Sequence, residues 1–452
     1  MAQPTTAGQP ARRGPLTAFR ARSNRVYYGY WLISAAFVAQ FVSVGATNYV
    51  IGTFLKPMTA DLDWSRSEFT LARTVGQFVM AFTGFFIGAR VDRHGGRQLM
   101  LMGVAILSGS LFALSYTQSL WQFVLLNGIA LTMGAAMIGN LVVNVTLSKW
   151  FVEKRGLAVG LAAMGVSFAG VALTPAMTLV IDEWGWRAAW RVLGIGSALL
   201  IVPVALVMRR APEDHGLHPD GKSAEQVAAG MGARASADFA SSLTRGQALH
   251  TPAFYLLVVA FGMFGVTIGV MLLQTIPFMT DAGYSRATAS LMITIASVPA
   301  LVSKPFWGWA IDKTSAKRLA SASAFITGLS MVVITLSVHA TADLFVYFGF
   351  FLLGCGWGGM IPLQEVIWAT FFGRRYLGAV RSAGLPFSLV LGAGGPLVVS
   401  IYFDQVGNYD GALYTVAVLN ILSAVLLLFI PKPGRADGLG GHEPLATAAA
   451  TS

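Results

Sequence analysis

Apolar runs long enough to cross a membrane recur along this chain from Tyr28 to Pro431, each closed by a short polar or charged stretch. A hydrocarbon core of roughly 30 Å takes about 20 apolar residues as helix. Backbone polar groups cannot be left open in lipid, so such runs must be helical. The pattern predicts helices over 28–54, 68–91, 98–117, 120–148, 156–181 and 188–208. A second set follows over 253–279, 286–311, 319–338, 343–371, 380–404 and 409–431. The short alternating segments of a membrane β-barrel are absent. The expected fold is an all-α membrane protein of twelve transmembrane helices in two six-helix halves, 28–208 and 251–431. A tail over 1–27, a linker over 209–250 rich in Ala, Gly, Ser and charge, and a tail over 432–452 complete it.

The charged residues set the orientation. Only 11% of the 452 residues are charged, against roughly 25% in a soluble domain. With the N-terminus inside, 24 of the 31 lysines and arginines fall in cytoplasmic tails and loops. Lys56, Arg66, Arg187, Arg191 and Arg286 fall at the outer side, and Arg73 and Lys304 lie within spans. That asymmetry is what the positive-inside rule requires. The first 25 residues carry five arginines and no signal-peptide core. The reading is a multi-pass inner-membrane protein with both termini cytoplasmic, working as a monomer. The net charge of +11 punctuates apolar segments and builds no groove for nucleic acid. The single cysteine, Cys355, and six scattered histidines offer no metal site, cofactor site or catalytic triad, so the chain does not read as an enzyme.

A repeat is visible at a shift of 220 residues. Gly88, Asp92, Arg93 and Arg97 align with Gly308, Asp312, Lys313 and Lys317. The same shift pairs Gly134 with Gly354, Asn144 with Gln364, Phe151 with Phe371 and Arg155 with Arg375. Agreement at one offset across several helices indicates duplication. Duplicated halves place a solute site near the midplane, between them.

The segment Gly88-x-x-x-Asp92-Arg93-x-Gly95-Gly96-Arg97 resembles the signature loop of the major facilitator superfamily, and a weaker copy runs from Gly308 to Lys317. Physically, the glycines allow close helix approach, and each Asp can face the positive N-terminal end of a helix in the opposite half. The basic residues would hold the loop at the cytoplasmic surface. Together Gly88, Asp92, Arg93, Arg97, Gly308, Asp312 and Lys313 form a candidate gating latch; the alternative is a generic basic turn. Lys149-Trp150-Phe151, Lys154-Arg155-Gly156-Leu157-Ala158-x-Gly160, Trp64-Ser65-Arg66, Gly283-Tyr284-Ser285 and Phe372-Gly373-Arg374-Arg375-x-Leu377-Gly378 resemble the monocarboxylate transporter and oxalate–formate exchanger branch. In that branch an arginine before Pro-x-x-Gly meets the substrate carboxylate, and Lys304-Pro305-Phe306-Trp307-Gly308 matches it in place and charge. Two departures stand out. The acidic residue of animal members would fall at Ala300, and their helix-one lysine near Tyr49.

A charge at the bilayer centre costs at least roughly 2.5–3.5 kcal/mol, so each needs a reason. Lys304 lies eight residues before Asp312, roughly 12 Å inside the cytoplasmic end. It reads either as an anion contact or as a partner of Glu365. Glu365, the one carboxylate well inside a span, reads as a coupling-proton carrier or as a structural partner of Lys304 or Arg381. Arg73 either draws anions in or snorkels outward. Tyr49, Asn144 and Gln274 are further substrate-binding candidates, with interhelical bonding the competing role for such amides. Pro362, Pro396 and the glycines at 354–359 read as bending points or as close packing. The leading function is secondary transport of a small organic anion, expected to be a monocarboxylate, by alternating access, with a proton or an exchanged anion as the coupled species. The alternative is an efflux pump for amphipathic drugs, whose usual acidic residue in the first half is missing here. A non-transporting sensor on the same fold is a third reading.

Overall fold

The computed structural model describes residues 27–433, apart from 65, 224, 227–238, 241, 385–386, 388–394, 397, 400 and 404. Both tails, Ser65 and the middle of the linker therefore lie outside the described residues. Eleven helices among those described are long and apolar enough to cross a membrane. In chain order we number them α1 (Tyr28–Phe54), α2 (Arg66–His94), α3 (Arg97–Leu114), α4 (Leu120–Trp150), α5 (Arg155–Met177) and α6 (Leu179–Val207). The second half holds α7 (Pro252–Asp281), α8 (Arg286–Lys313), α9 (Ala316–His339) and α10 (Asp343–Phe372). The expected span 380–404 opens with α11 (Leu377–Ala383), and most of the rest of that span lies outside the described residues. The last helix is α12 (Asp410–Phe429).

Local chemistry sets the ends. Pro252 starts α7, where its missing N–H costs nothing. Ser285 caps α8 by accepting from the Thr288 amide at 3.1 Å. Gly185, at φ +79, kinks α6 near its start, a conformation that disfavours any side chain. Large apolar side chains such as Phe82, Phe86, Leu344 and Phe429 stay exposed, as a lipid-facing surface requires.

Of the expected bending points, Pro396 sits among positions mostly outside the described residues. α10 runs unbroken through Pro362. Its glycines at 354, 356, 358 and 359 face Ala296, Thr327, Ser303 and Ser323 so closely that a Cβ would clash. Instead the backbone widens into π-helix at Gly45–Tyr49 in α1, Val124–Leu131 in α4 and Ala169–Leu173 in α5. The offset of the repeat also changes along the chain. Asp92 and Asp312 hold at 220, but Gly156 and Gly378 take equivalent places, as do the helix ends at Phe151 and Gly373, an offset of 222. Asn144 and Gln364 are therefore out of register.

The two halves meet at one end, which we call the basic end because the loops 2–3, 4–5, 8–9 and 10–11 lie there. The larger apolar core continues across it from the first half into Trp307, Ile311, Phe371 and Leu377. At the other end the second half has a core of its own around Val270, Met292, Phe350 and Leu413. Among the described residues α7 packs extensively only against its own half and the short helix before it. Among the described residues the halves are joined at the basic end and keep separate cores at the other, which we call the open end.

Candidate functional site

Two glycine contacts let the halves touch. On α2, Gly88 lies against Gly378 and Ser382 of α11. On α8, Gly308 lies against Gly156 of α5. One turn further along each of α2 and α8 an aspartate reaches the N-terminus of the opposing helix. Asp92 Oδ2 accepts from the Ala379 amide at 2.8 Å. Asp312 accepts from the Gly156 and Leu157 amides at 2.7 and 2.9 Å. Each carboxylate thus meets the partial positive charge of a helix start that belongs to the other half.

Further bonds support the Asp92 copy. Asp92 is buried and forms an ion pair with Lys149 of α4 at 2.8 Å. Arg374 donates to the Lys149 carbonyl at 3.0 Å and pairs with Glu213 of the linker at 2.6 Å. Arg245 donates to the carbonyls of Ala379 and Phe85 at 2.9 and 3.1 Å, tying α2 to α11. Asp220 accepts from the amides of Val152, Glu153 and Lys154. Arg93, Arg97 and Lys313 are exposed instead. The Arg93 carbonyl accepts from Arg210, and Lys313 lies over the Trp309 ring. Lys149, Arg245, Arg374, Glu213 and Asp220 were not site candidates. Lys149 and Arg374 stood in the branch-like segments without a role, and the other three carried only ordinary loop charge.

Between the glycine contacts and the open end lies Lys304, buried at 3% exposure. Its ammonium donates to Ser167 Oγ of α5 and to the Ala300 carbonyl, 3.2 Å away. Glu365 is not its partner; that carboxylate faces Arg381 of α11 at 3.4 Å, with both side chains buried. Three residues beyond Ser167, Gly170 lies under the ring of Tyr49. Residues i and i+3 share a helix face, so Tyr49 and Lys304 meet one face of α5, with half-buried Tyr49 nearer the open end.

The remaining candidates lie apart. Arg73 is exposed on α2, nine residues from lipid-facing Phe82 and hence about half a turn round the helix. It therefore fronts the cleft rather than the lipid. Asn144 is fully buried, and its Oδ1 accepts from Gln40 of α1 at 3.1 Å, which ties α4 to α1. Gln274 is buried on α7.

The sequence model of the Major Facilitator Superfamily matches residues 36–285 and 270–450. The chain belongs to that superfamily. This transporter is 25% identical over 417 residues to the oxalate:formate antiporter of Oxalobacter formigenes, covering 90% of this chain and 92% of the relative. It is 24% identical to the uncharacterized MFS-type transporter YcxA of Bacillus subtilis, over 83% of this chain and 88% of that one. Monocarboxylate transporter 11 of Mus musculus is 23% identical, over 90% and 88%. Among solved structures, the proton:xylose symporter XylE superposes with a TM-score of 0.71 at 14% identity, over 90% of this chain and 96% of that one. The E. coli fucose:proton symporter FucP gives 0.65 at 13%, over 89% and 100%. The architecture is the twelve-helix major facilitator fold, and the chain is a transporter, not an enzyme.

Proposed function

We propose that this transporter carries a small organic anion, a monocarboxylate, by alternating access, and that Lys304 is its charged anchor. One observation carries the reading. A buried ammonium lies where the halves meet and, among the described residues, has only a hydroxyl and a carbonyl as partners, because Glu365 is engaged by Arg381. A buried charge is costly unless compensated, and a bound carboxylate supplies the missing charge. Arg73, on the cleft face of α2, would draw anions in, and Tyr49 would line the approach. The oxalate:formate antiporter and the monocarboxylate transporter among its relatives fit the same ligand class.

The same geometry favours exchange over proton symport. With alanine at 300, no carboxylate among the described residues pairs with Lys304 to carry a proton. An empty carrier would have to pass through its closed state with the ammonium unneutralised, whereas a loaded one would not. With the basic end read as cytoplasmic under the positive-inside rule, the conformation described is outward-open, in the inner membrane, with both termini inside. Reporter fusions at Gly230 and Ser452 should both read cytoplasmic; a periplasmic signal at either refutes this topology.

Lys304→Gln removes a charge-assisted hydrogen bond of about 1.5–3 kcal/mol, or roughly 10- to 150-fold in affinity. Uptake of labelled C2–C6 carboxylates into proteoliposomes should fall by that order, with Lys304→Arg retaining measurable transport. Unchanged affinity in folded Lys304→Gln removes Lys304 from the site.

A further inference from the structure

We propose that Ser167 is the first half's contribution to the anion site: its hydroxyl and the Lys304 ammonium form a two-donor cradle for one carboxylate, one donor from each half. The inference rests on the reading of Lys304 above and adds the residue that makes the site shared.

The contact crosses between the halves and joins residues 137 positions apart in the chain. Lys304 meets α5 twice. Its carbonyl lies against Gly160, where a Cβ would come within 2.7 Å, and its ammonium lies on Ser167. Seven residues of helix separate those two points, about 10 Å, so the lysine side chain runs along α5 toward the open end. The glycine contacts at Gly156 and Gly160 thus end in a polar clasp, beyond which the cleft begins.

Donor counting supports a ligand. An ammonium has three N–H donors and no acceptor. Ser167 and Ala300 occupy two of them, leaving one without a partner among the described residues. The Ser167 oxygen accepts from Lys304, and among the described residues its own O–H has no acceptor, although Ser167 is buried at 4% exposure. One ammonium N–H and one hydroxyl O–H are therefore unspent side by side, the pair that two oxygens of a carboxylate can accept. The π-helical turn Ala169–Leu173 starts two residues later. Such turns alter which side chains face a site and recur at functional positions.

A carboxylate held in this way is bonded to both halves at once. Binding then acts on the relation between the halves, which alternating access needs, and not on one half alone.

The test uses full-length protein purified in detergent. Carboxylate binding (acetate, lactate, pyruvate and oxalate) is read by thermal shift and calorimetry for the wild type, Ser167→Ala, Ser167→Thr, Lys304→Gln and Ser167→Ala/Lys304→Gln. The proposal expects Ser167→Ala to weaken the bound carboxylate by about tenfold and Ser167→Thr, which keeps the hydroxyl, to retain most affinity. It also expects the double variant to bind little worse than Lys304→Gln alone, because the two donors serve one carboxylate. If Lys304→Gln weakens binding while Ser167→Ala does not, or if Thr fails to rescue, the cradle is wrong and the Lys304 anchor stands. If the two losses add in full, Ser167 acts elsewhere and the proposal is overturned. If neither variant alters binding, or no carboxylate binds the wild type, both readings fall.

Discussion

Asp312→Asn isolates what the latch contributes. Asp312 accepts two backbone N–H bonds from the opposing half, at 2.7 and 2.9 Å, at the start of α5. Hydrogen bonds to a charged group contribute about 1.5–3 kcal/mol each, and neutral ones about 0.5–1.5. Asparagine keeps one acceptor oxygen and turns a donor toward the second amide, so one bond is lost and the other becomes neutral. Asp312 is only part-buried, which favours the low end of the range. A loss of about 2 kcal/mol shifts the balance between closed and open basic ends by roughly 30-fold. The shift can be read as a distance. In a Cys355→Ser background, spin labels at His94→Cys and Arg318→Cys sit on exposed positions of opposite halves at the basic end. Pulsed electron paramagnetic resonance should show the long-distance population grow in Asp312→Asn, and steady-state flux should fall. An unchanged distance distribution with unchanged flux, in correctly inserted protein, would show that the carboxylate carries no part of the closure.

Asp92→Asn should behave differently, because it also strands buried Lys149. Breaking a buried pair costs about 3–5 kcal/mol, so thermal stability should drop, and Asp92→Asn/Lys149→Gln should recover most of it; equal melting temperatures for all three proteins would refute the pairing. Glu365→Gln likewise strands buried Arg381, so the expected outcome is lost stability restored by Glu365→Gln/Arg381→Gln. A selective loss of pH-gradient stimulation at unchanged stability would instead make Glu365 the proton carrier.

Much of the fold was legible in the pattern of residues, and the reasons are local. Lipid forces apolar runs into helices, so counting those runs predicts the spans without any tertiary information. The aspartates of the repeated loop were legible too, since a conserved spacing of Gly88 to Asp92 and Gly308 to Asp312 already encodes a close approach followed by a charge at a helix start. The register of the repeat was not: helix ends and glycine contacts beyond α3 follow an offset of 222, which identity matching at 220 could not reveal. Nor were the π-helical turns: each holds a glycine, at 45, 128 or 170, but the chain has many other helical glycines whose backbone stays α-helical.

The partnership of the buried charges was decided by tertiary structure alone. From the chain, Glu365 could serve Lys304 or Arg381, and no propensity or periodicity separates two cations that both lie within helical reach of the same interior. Packing separates them. The glycines of α5 draw the backbone of α8 against it and direct Lys304 along α5 to Ser167, while α11 brings Arg381 to Glu365. Serine is too common in membrane helices to announce itself, and a hydroxyl becomes informative only when a cation from the other half is found upon it. The sequence by itself determined which segments cross the bilayer and which end is basic. Which buried charges pair with one another is a relation between helices distant in the chain, and only their packing could determine it.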